Sequence, residues 1–398
     1  MNFDFDHPID RRGSDSTKWG KYAGSDRDVI PLWVADMDFA APPAVLEALH
    51  QRVAHGVFGY GAPQPSLTRA LQEHLLCEYQ WQVEADWLVW LPGLVTGLNV
   101  ACRAVGGAGD EVLTATPIYP PFLSAPGHAQ RRVVGVPLVL GDDGWKWDFA
   151  ALAAAITPAT KLLLLCHPHN PVGRAWRSEE LQQIAAFAER HNLTVCSDEI
   201  HCGLILDPQL QHQPFAALSK AAARRSITLM APSKTFNIPG LGCAFAVISD
   251  AALRRAFRTA MQGIVPHVNL LGFAATEAAL NSASDWHAAL LAYLRGNRDC
   301  VERQIGQMPG LSMSHVEATY LAWIDARELC QTIRQTRSIR NPQRFFEQAG
   351  VGLSDGAAFS PGESRQPSPT SGFVRLNFGC SRTLLKQALE RMRNALTK

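Results

Sequence analysis

Apolar residues in this chain fall into short unbroken runs, at 87–91, 111–115, 132–136, 161–166, 194–197, 227–230 and 244–248. Runs of that length without alternation are the mark of strands covered on both faces. Between them lie stretches with helical character, among them 95–105 and 178–191. Strands interleaved with helices predict crossover units: an α/β fold whose large domain has a mainly parallel sheet flanked by helices. Residues 1–45 read as irregular up to Pro42-Pro43, and a helix is expected over 43–55. Beyond about residue 285 the pattern changes to helices at 286–308, 341–349 and 382–396 around strands at 320–324 and 373–378. The expected division is a large domain over 46–285 and a smaller α+β domain over 286–398, with 1–45 packing on the smaller one.

Composition narrows the function classes. At 398 residues and 47% hydrophobic, the chain can bury a core of two-domain size. Its formal charge is +1 with no basic block, so nothing supports nucleic-acid binding. The acidic start, Met-Asn-Phe-Asp-Phe-Asp, is not a secretory signal, and no apolar run reaches the ~20 residues of a membrane span. Nine cysteines lie scattered without Cys-x-x-Cys pairs, which favours reduced thiols over disulfides or a zinc site. The expectation is a cytoplasmic protein with no metal and no membrane contact.

One lysine of the eight stands apart. Lys234 follows the run 227–230 in Ala-Pro-Ser233-Lys234-Thr-Phe-Asn-Ile-Pro-Gly240, past the carboxyl end of a strand. An amine held against a packed sheet loses hydration, so its pKa falls and it becomes a nucleophile toward aldehydes. Pyridoxal 5′-phosphate is an aldehyde cofactor built around such a lysine, and it needs a carboxylate at its ring nitrogen. Two further polar residues follow neighbouring runs: Asn170 in His-Pro-His-Asn-Pro-Val-Gly, and Asp198 in Ser-Asp-Glu-Ile-His. From 170 to 198 is 28 residues and from 198 to 234 is 36, each about one strand–helix–strand unit. Parallel strands place all three at the carboxyl edge, where open α/β sheets bind ligands.

The rest of such a site can be sought in the same way. Leu91-Pro-Gly93-Leu94-Val95-Thr96 joins a strand to a helix, and the free N–H groups at a helix start suit a phosphate. An ordinary glycine turn is the plain alternative. Ser233 can add a hydroxyl, and Tyr119 can cover a cofactor ring or simply fill the core. Arg375 lies inside the apolar run 373–378, where a buried guanidinium requires a partner: a substrate carboxylate, or a structural ion pair.

Taken together, Tyr119-x-x-Phe122, Asn170-Pro-x-Gly173, Asp198-Glu and Ser233-Lys234 resemble fold-type I pyridoxal-phosphate enzymes of the class I/II aminotransferase superfamily. Further segments are most similar to its cystathionine β-lyase (C–S lyase) branch, the MalY/PatB-like group. These are Trp33-Val-Ala-Asp-Met-Asp-Phe39, Pro168–Trp176, Asp198-Glu-Ile-His201, Lys234–Leu241 and Thr319–Asp325. The resemblance implies a homodimer with shared active sites, in which Tyr60 reaches the neighbouring subunit's phosphate. It also implies that His201 sits near the cofactor's phenolate oxygen and that Val34 and Ala35 line the substrate side.

Four positions depart from the pattern: Gly242 replaces a phosphate-binding arginine of aminotransferases, and His167, Gly203 and Ala318 differ from the branch. The implied activity is β-elimination from cystathionine, cysteine or an S-substituted cysteine, with an aminotransferase as the alternative. A cofactor-binding regulatory protein is a more distant one. The loop 361–372, with positions 167 and 203, is expected to shape the leaving-group pocket.

Overall fold

The computed structural model describes residues 3–336, 341–362 and 368–397. The central part of the expected loop 361–372, residues 363–367, lies outside the described residues. In chain order the strands are β1 (Ile30–Pro31), β2 (Leu88–Leu91), β3 (Glu111–Thr116), β4 (Arg132–Pro137), β5 (Val139–Gly141), β6 (Gly144–Lys146), β7 (Thr160–Cys166) and β8 (Thr194–Asp198). There follow β9 (Ser226–Met230), β10 (Ala244–Val247), β11 (Ser312–Met313), β12 (Leu321–Asp325), β13 (Val351–Gly352), β14 (Ser354–Asp355) and β15 (Phe373–Asn377).

Seven of them form one sheet in the order β2-β10-β9-β8-β7-β3-β4. All run parallel except β10, which is antiparallel to both of its neighbours. The mainly parallel α/β architecture predicted from the apolar runs is what the chain adopts. Strand β7 shows why. Its Leu162, Leu164 and Cys166 point into one core and Leu163 and Leu165 into the other, so both faces are covered and the run is continuously apolar. Strand β8 splits the same way, with Cys196 on one side and Val195 on the other.

A second, four-stranded antiparallel sheet, β11-β12-β15-β14, is built from the carboxyl-terminal third. The amino-terminal segment forms a separate two-stranded sheet with this part of the chain: β1 pairs in parallel with β13, Ile30 opposite Val351. Phe5, Ile30, Leu32, Met37 and Phe39 share a core with Trp286, Leu290, Phe346, Leu376 and Leu389.

Past β1 the chain enters no helix or sheet until Pro43–Ala54. Residues 33–39 form a strap anchored by a buried ionic cluster. Lys18, wholly inaccessible to solvent, gives its ammonium to Asp38 at 2.6 Å. Arg11 reaches the same carboxylate at 2.7 Å, and Trp19 Nε1 donates to it at 3.0 Å. Removing one partner of a buried pair leaves an uncompensated charge and costs about 3–5 kcal/mol. The Asp38→Ala protein is therefore expected to lose roughly that much stability in urea unfolding. A loss under about 1 kcal/mol would show that the cluster does not anchor the strap.

Candidate active site

Strands β7, β8 and β9 are adjacent and parallel, so their carboxyl ends deliver Asn170, Asp198 and Lys234 to one edge. Asp198 is the last residue of β8 and is buried. One carboxylate oxygen accepts the Ile200 amide at 3.1 Å, and no hydrogen bond among the described residues reaches the other. Burial pushes its pKa up to about 7, and adjacent Glu199 adds to the rise, against the Ile200 amide and Lys234.

Lys234 sits in the loop after β9, with its side chain deep in the cleft. The amine donates to the carbonyl of Ala35 in the strap. Burial brings its pKa down to about 8, opposed by Asp36 and Asp198 and aided by Arg375. That value leaves a fraction of the amine neutral near physiological pH, as nucleophilic or proton-accepting work requires.

Arg375 projects from β15 and is buried. Its two terminal nitrogens donate to Asn170 Oδ1 at 2.9 Å and to the carbonyl of Trp33 at 2.9 Å. Among the described residues no carboxylate pairs with it, and its Nε is buried without a partner. The structural ion pair entertained from sequence is absent there. Burial lowers its pKa to about 10, with Tyr119 and Tyr320 acting the other way. A buried cation with an open donor is a receptor for an anion.

Asn170 is itself buried and joins the arginine to the edge of the sheet. Tyr119 follows β3, partly covered and packed against the core of the large sheet. Burial raises its phenol pKa. Gly93 opens the helix Leu94–Ala104 at the carboxyl end of β2, and no side chain caps that helix. The first amides there, including those of Leu94 and Val95, are left free for an anion. Ser233 is buried one residue before the lysine.

His201 is buried with Nδ1 unpartnered among the described residues. Its ring lies edge-on to Tyr320, centroids 6.1 Å apart. Val34 and Ala35 belong to the strap: Val34 O accepts from Asn377 at 2.5 Å, and Ala35 O from the Tyr320 hydroxyl at 2.9 Å. Tyr60 makes none of these contacts. It is fully exposed and makes no hydrogen bond among the described residues.

Two departures noted in the sequence have steric reasons. Gly242 has φ +57°, and a Cβ there would lie 3.0 Å from the Pro92 carbonyl, so an arginine would be strained on both counts. Gly203 abuts Thr235, whose hydroxyl would be 2.5 Å from an added Cβ. His167, the third, stacks on His212 at 4.4 Å, and its Nε2 lies 3.1 Å from Gln213 O. Ala318 is fully buried and forms a β-bridge with Ile205.

Sequence reasoning assigned no role to Glu199, Asn237, Tyr320 or Asn377, all of which bear on the site. Glu199 is fully buried behind Asp198, accepting from Ser197 Oγ at 2.7 Å, Phe215 N at 2.9 Å and His212 Nε2 at 2.8 Å. Asn377 stands two residues from Arg375 on the same face of β15, and that spacing was its available signal.

An amine, a carboxylate with a free oxygen, an amide, an unpartnered imidazole nitrogen and an open helix start match the donor set of a phosphorylated pyridine aldehyde. Comparison with known proteins agrees. Residues 27–392 match the family "Aminotransferase class I and II". Cystathionine beta-lyase PatB of Bacillus subtilis (strain 168) is 35% identical over 99% of this chain and all of its own. The crystal structure of OvoB covers the whole of both chains at 47% identity, with a TM-score of 0.92. Cystalysin from Treponema denticola, whose structure contains pyridoxal 5′-phosphate, is 30% identical with a TM-score of 0.91, over 100% of this chain and 99% of its own. The chain belongs to the class I and II aminotransferase family.

Burial drives His167, His201 and His212 down to about 3 from the ordinary 6.5; for His201 the cations of Lys234 and Arg375 add to the effect. A histidine whose folded pKa lies below its unfolded value refuses protons that the unfolded chain accepts. In nuclear magnetic resonance titrations these three rings should stay neutral from about pH 8 to about pH 5 while the protein is folded. A ring titrating near its ordinary value would show that water reaches the site from behind.

Proposed function

We propose that the protein is a pyridoxal-phosphate-dependent carbon–sulfur β-lyase acting on cystathionine, cysteine or another S-substituted cysteine. The observation that carries the reading is the buried Arg375 with an open Nε, set at the same cleft as Lys234 and Asp198. It is the arrangement an α-amino acid needs, with its carboxylate on the arginine and its α-carbon near the amine. Cystathionine beta-lyase PatB, 35% identical along its full length, supports the lyase over the transferase, as does glycine at position 242.

Pyridoxal phosphate, when bound, supplies an aldehyde for an amine to join and a ring that draws off the electron pair at the substrate's α-carbon. Lys234 is the residue that holds it and, once freed by the incoming amino acid, takes the α-proton. Asp198, in its charged form, would hold a proton at the ring nitrogen, and the pyridinium cation facing it would offset the burial that raises its own proton affinity. Asn170 and neutral His201 would donate to the phenolate oxygen, and Tyr119 would cover the ring. The amides of Gly93, Leu94 and Val95, with the Ser233 hydroxyl, would hold the phosphate. Val34 and Ala35 bound the substrate side. Loss of the α-proton and of the β-thiolate, which leaves as the thiol, yields 2-aminoacrylate, and water then hydrolyses this to pyruvate and ammonia.

The same reading places residues 46–285 in the cofactor domain and 286–398 in the smaller one, with 1–45 packed on the latter. It also makes the enzyme a homodimer in which Tyr60 serves the partner's phosphate. Full exposure of Tyr60, beside exposed Val57 and Phe58, supports this. No helix of the described residues is long and apolar enough to cross a membrane. A cytoplasmic location is the reading we adopt.

Purified enzyme should release pyruvate from cystathionine or cysteine conjugates without any added keto acid. Arg375→Ala should lower kcat/KM about 100-fold, the equivalent of about 2.7 kcal/mol of lost charge-assisted hydrogen bonding. Product formed only when a keto-acid acceptor is present would make the protein an aminotransferase instead. In sedimentation the protein should run as a dimer, and a monomer retaining full activity would remove the role given to Tyr60.

A further inference from the structure

The strap holds a carboxylate that the reaction just described does not use. Asp36 directly follows Ala35, whose carbonyl receives both the Lys234 amine and the Tyr320 hydroxyl. One Asp36 oxygen is held by Arg11 at 2.6 Å, and the other, Oδ1, is buried without a partner among the described residues. Its own carbonyl is fixed by Asn377 Nδ2 at 2.7 Å and Lys18 Nζ at 3.2 Å. A buried, half-satisfied carboxylate is costly unless a cation faces it. Arg11 meets only one oxygen, Lys18 meets the backbone carbonyl, and among the described residues the remaining cation at this part of the strap is Lys234.

We propose that Asp36 is a positioning residue. Its carboxylate, fixed by Arg11, makes the Ala35 carbonyl a berth for the protonated Lys234 amine whenever that amine is not joined to the cofactor. The inference rests on Lys234 being the cofactor-bearing lysine. A lysine that has taken the α-proton becomes an ammonium in a site already holding the Arg375 cation, which repels it. The strap offers that ammonium an acceptor and a compensating charge, and Tyr320 keeps the acceptor oriented. The charged or titratable groups around the amine are Asp36 on the strap, Asp198 on β8, Arg375 on β15, and His201 and Tyr320 beside them. Of these, only Asp36 and Asp198 stabilise the ammonium, and Asp198 is engaged with the ring nitrogen in the loaded enzyme.

The test uses the full-length protein freed of cofactor and needs no turnover. Trace acetylation with acetic anhydride across pH, read by mass spectrometry, gives the Lys234 midpoint, with exposed Lys161 and Lys220 as internal references. The native chain should titrate near 8 at Lys234. Asp36→Asn should lower that midpoint by on the order of one unit, because the ammonium loses its compensating charge. Arg11→Gln should raise it, since the carboxylate then loses the cation paired with it. Opposite shifts with unchanged reference lysines are the expected result. An unmoved Lys234 midpoint in both variants would reduce Asp36 to a structural anchor and overturn the proposal. If Asp36→Asn does not fold, Arg11→Gln decides alone: a rise supports the berth, and no change overturns it. Neither outcome depends on whether the enzyme is a lyase.

Discussion

Seven residues that belong to no helix and no sheet cross the cleft, and their backbone groups must still be hydrogen-bonded because they are shielded from water. Side chains from distant parts of the chain do this work. Arg375 and Ser354 donate to the Trp33 carbonyl. Asn377 takes the carbonyls of Val34 and Asp36. Lys234 and Tyr320 take that of Ala35. Asn237 accepts from the Met37 amide and donates to the carbonyls of Met37 and Phe39. Arg375, the lysine loop and the amino-terminal segment are thus tied to one strip of backbone. Slack in the strap would disorder the receptor and the nucleophile together.

Burial explains the electrostatics of the same place. An amine, a carboxyl group and an imidazole are all driven toward their neutral forms by the loss of water; neighbours partly correct the first two, and the cations of Lys234 and Arg375 deepen the shift of His201. The outcome is a lysine easily deprotonated beside an aspartate easily protonated. Groups with displaced proton affinities at one sheet edge are the condition for moving a proton on and off a single carbon. The guanidinium stays charged because its ordinary pKa lies so far above neutrality that burial cannot discharge it.

Much of this could be read in advance. Unbroken apolar runs located the main-sheet strands to within a residue or two, because a sheet covered on both faces leaves no polar alternation to confuse the pattern. That Lys234, Asp198 and Asn170 share an edge was legible because chain direction alone sends the ends of parallel strands there. The strap was harder. Its composition suggested only an irregular segment, and its conformation is dictated by Asn237 and Asn377, some 200 and 340 residues away. The helix Pro65–Tyr79 also went unread: it begins at a proline and carries a polar face, with no strand signal to frame it. Glu199 was visible next to Asp198, yet its enclosure by Ser197, His212 and Phe215 depends on a loop folding back over β8.

The identity of the lysine that carries the cofactor decides whether this account stands. Reducing the pyridoxal-phosphate-loaded enzyme with borohydride makes that attachment permanent, and peptide mass spectrometry then locates it. The account predicts the phosphopyridoxyl group on Lys234 alone. Finding it on Lys161 or Lys220, or finding no lysine labelled in an active enzyme, would contradict the assignment of the site.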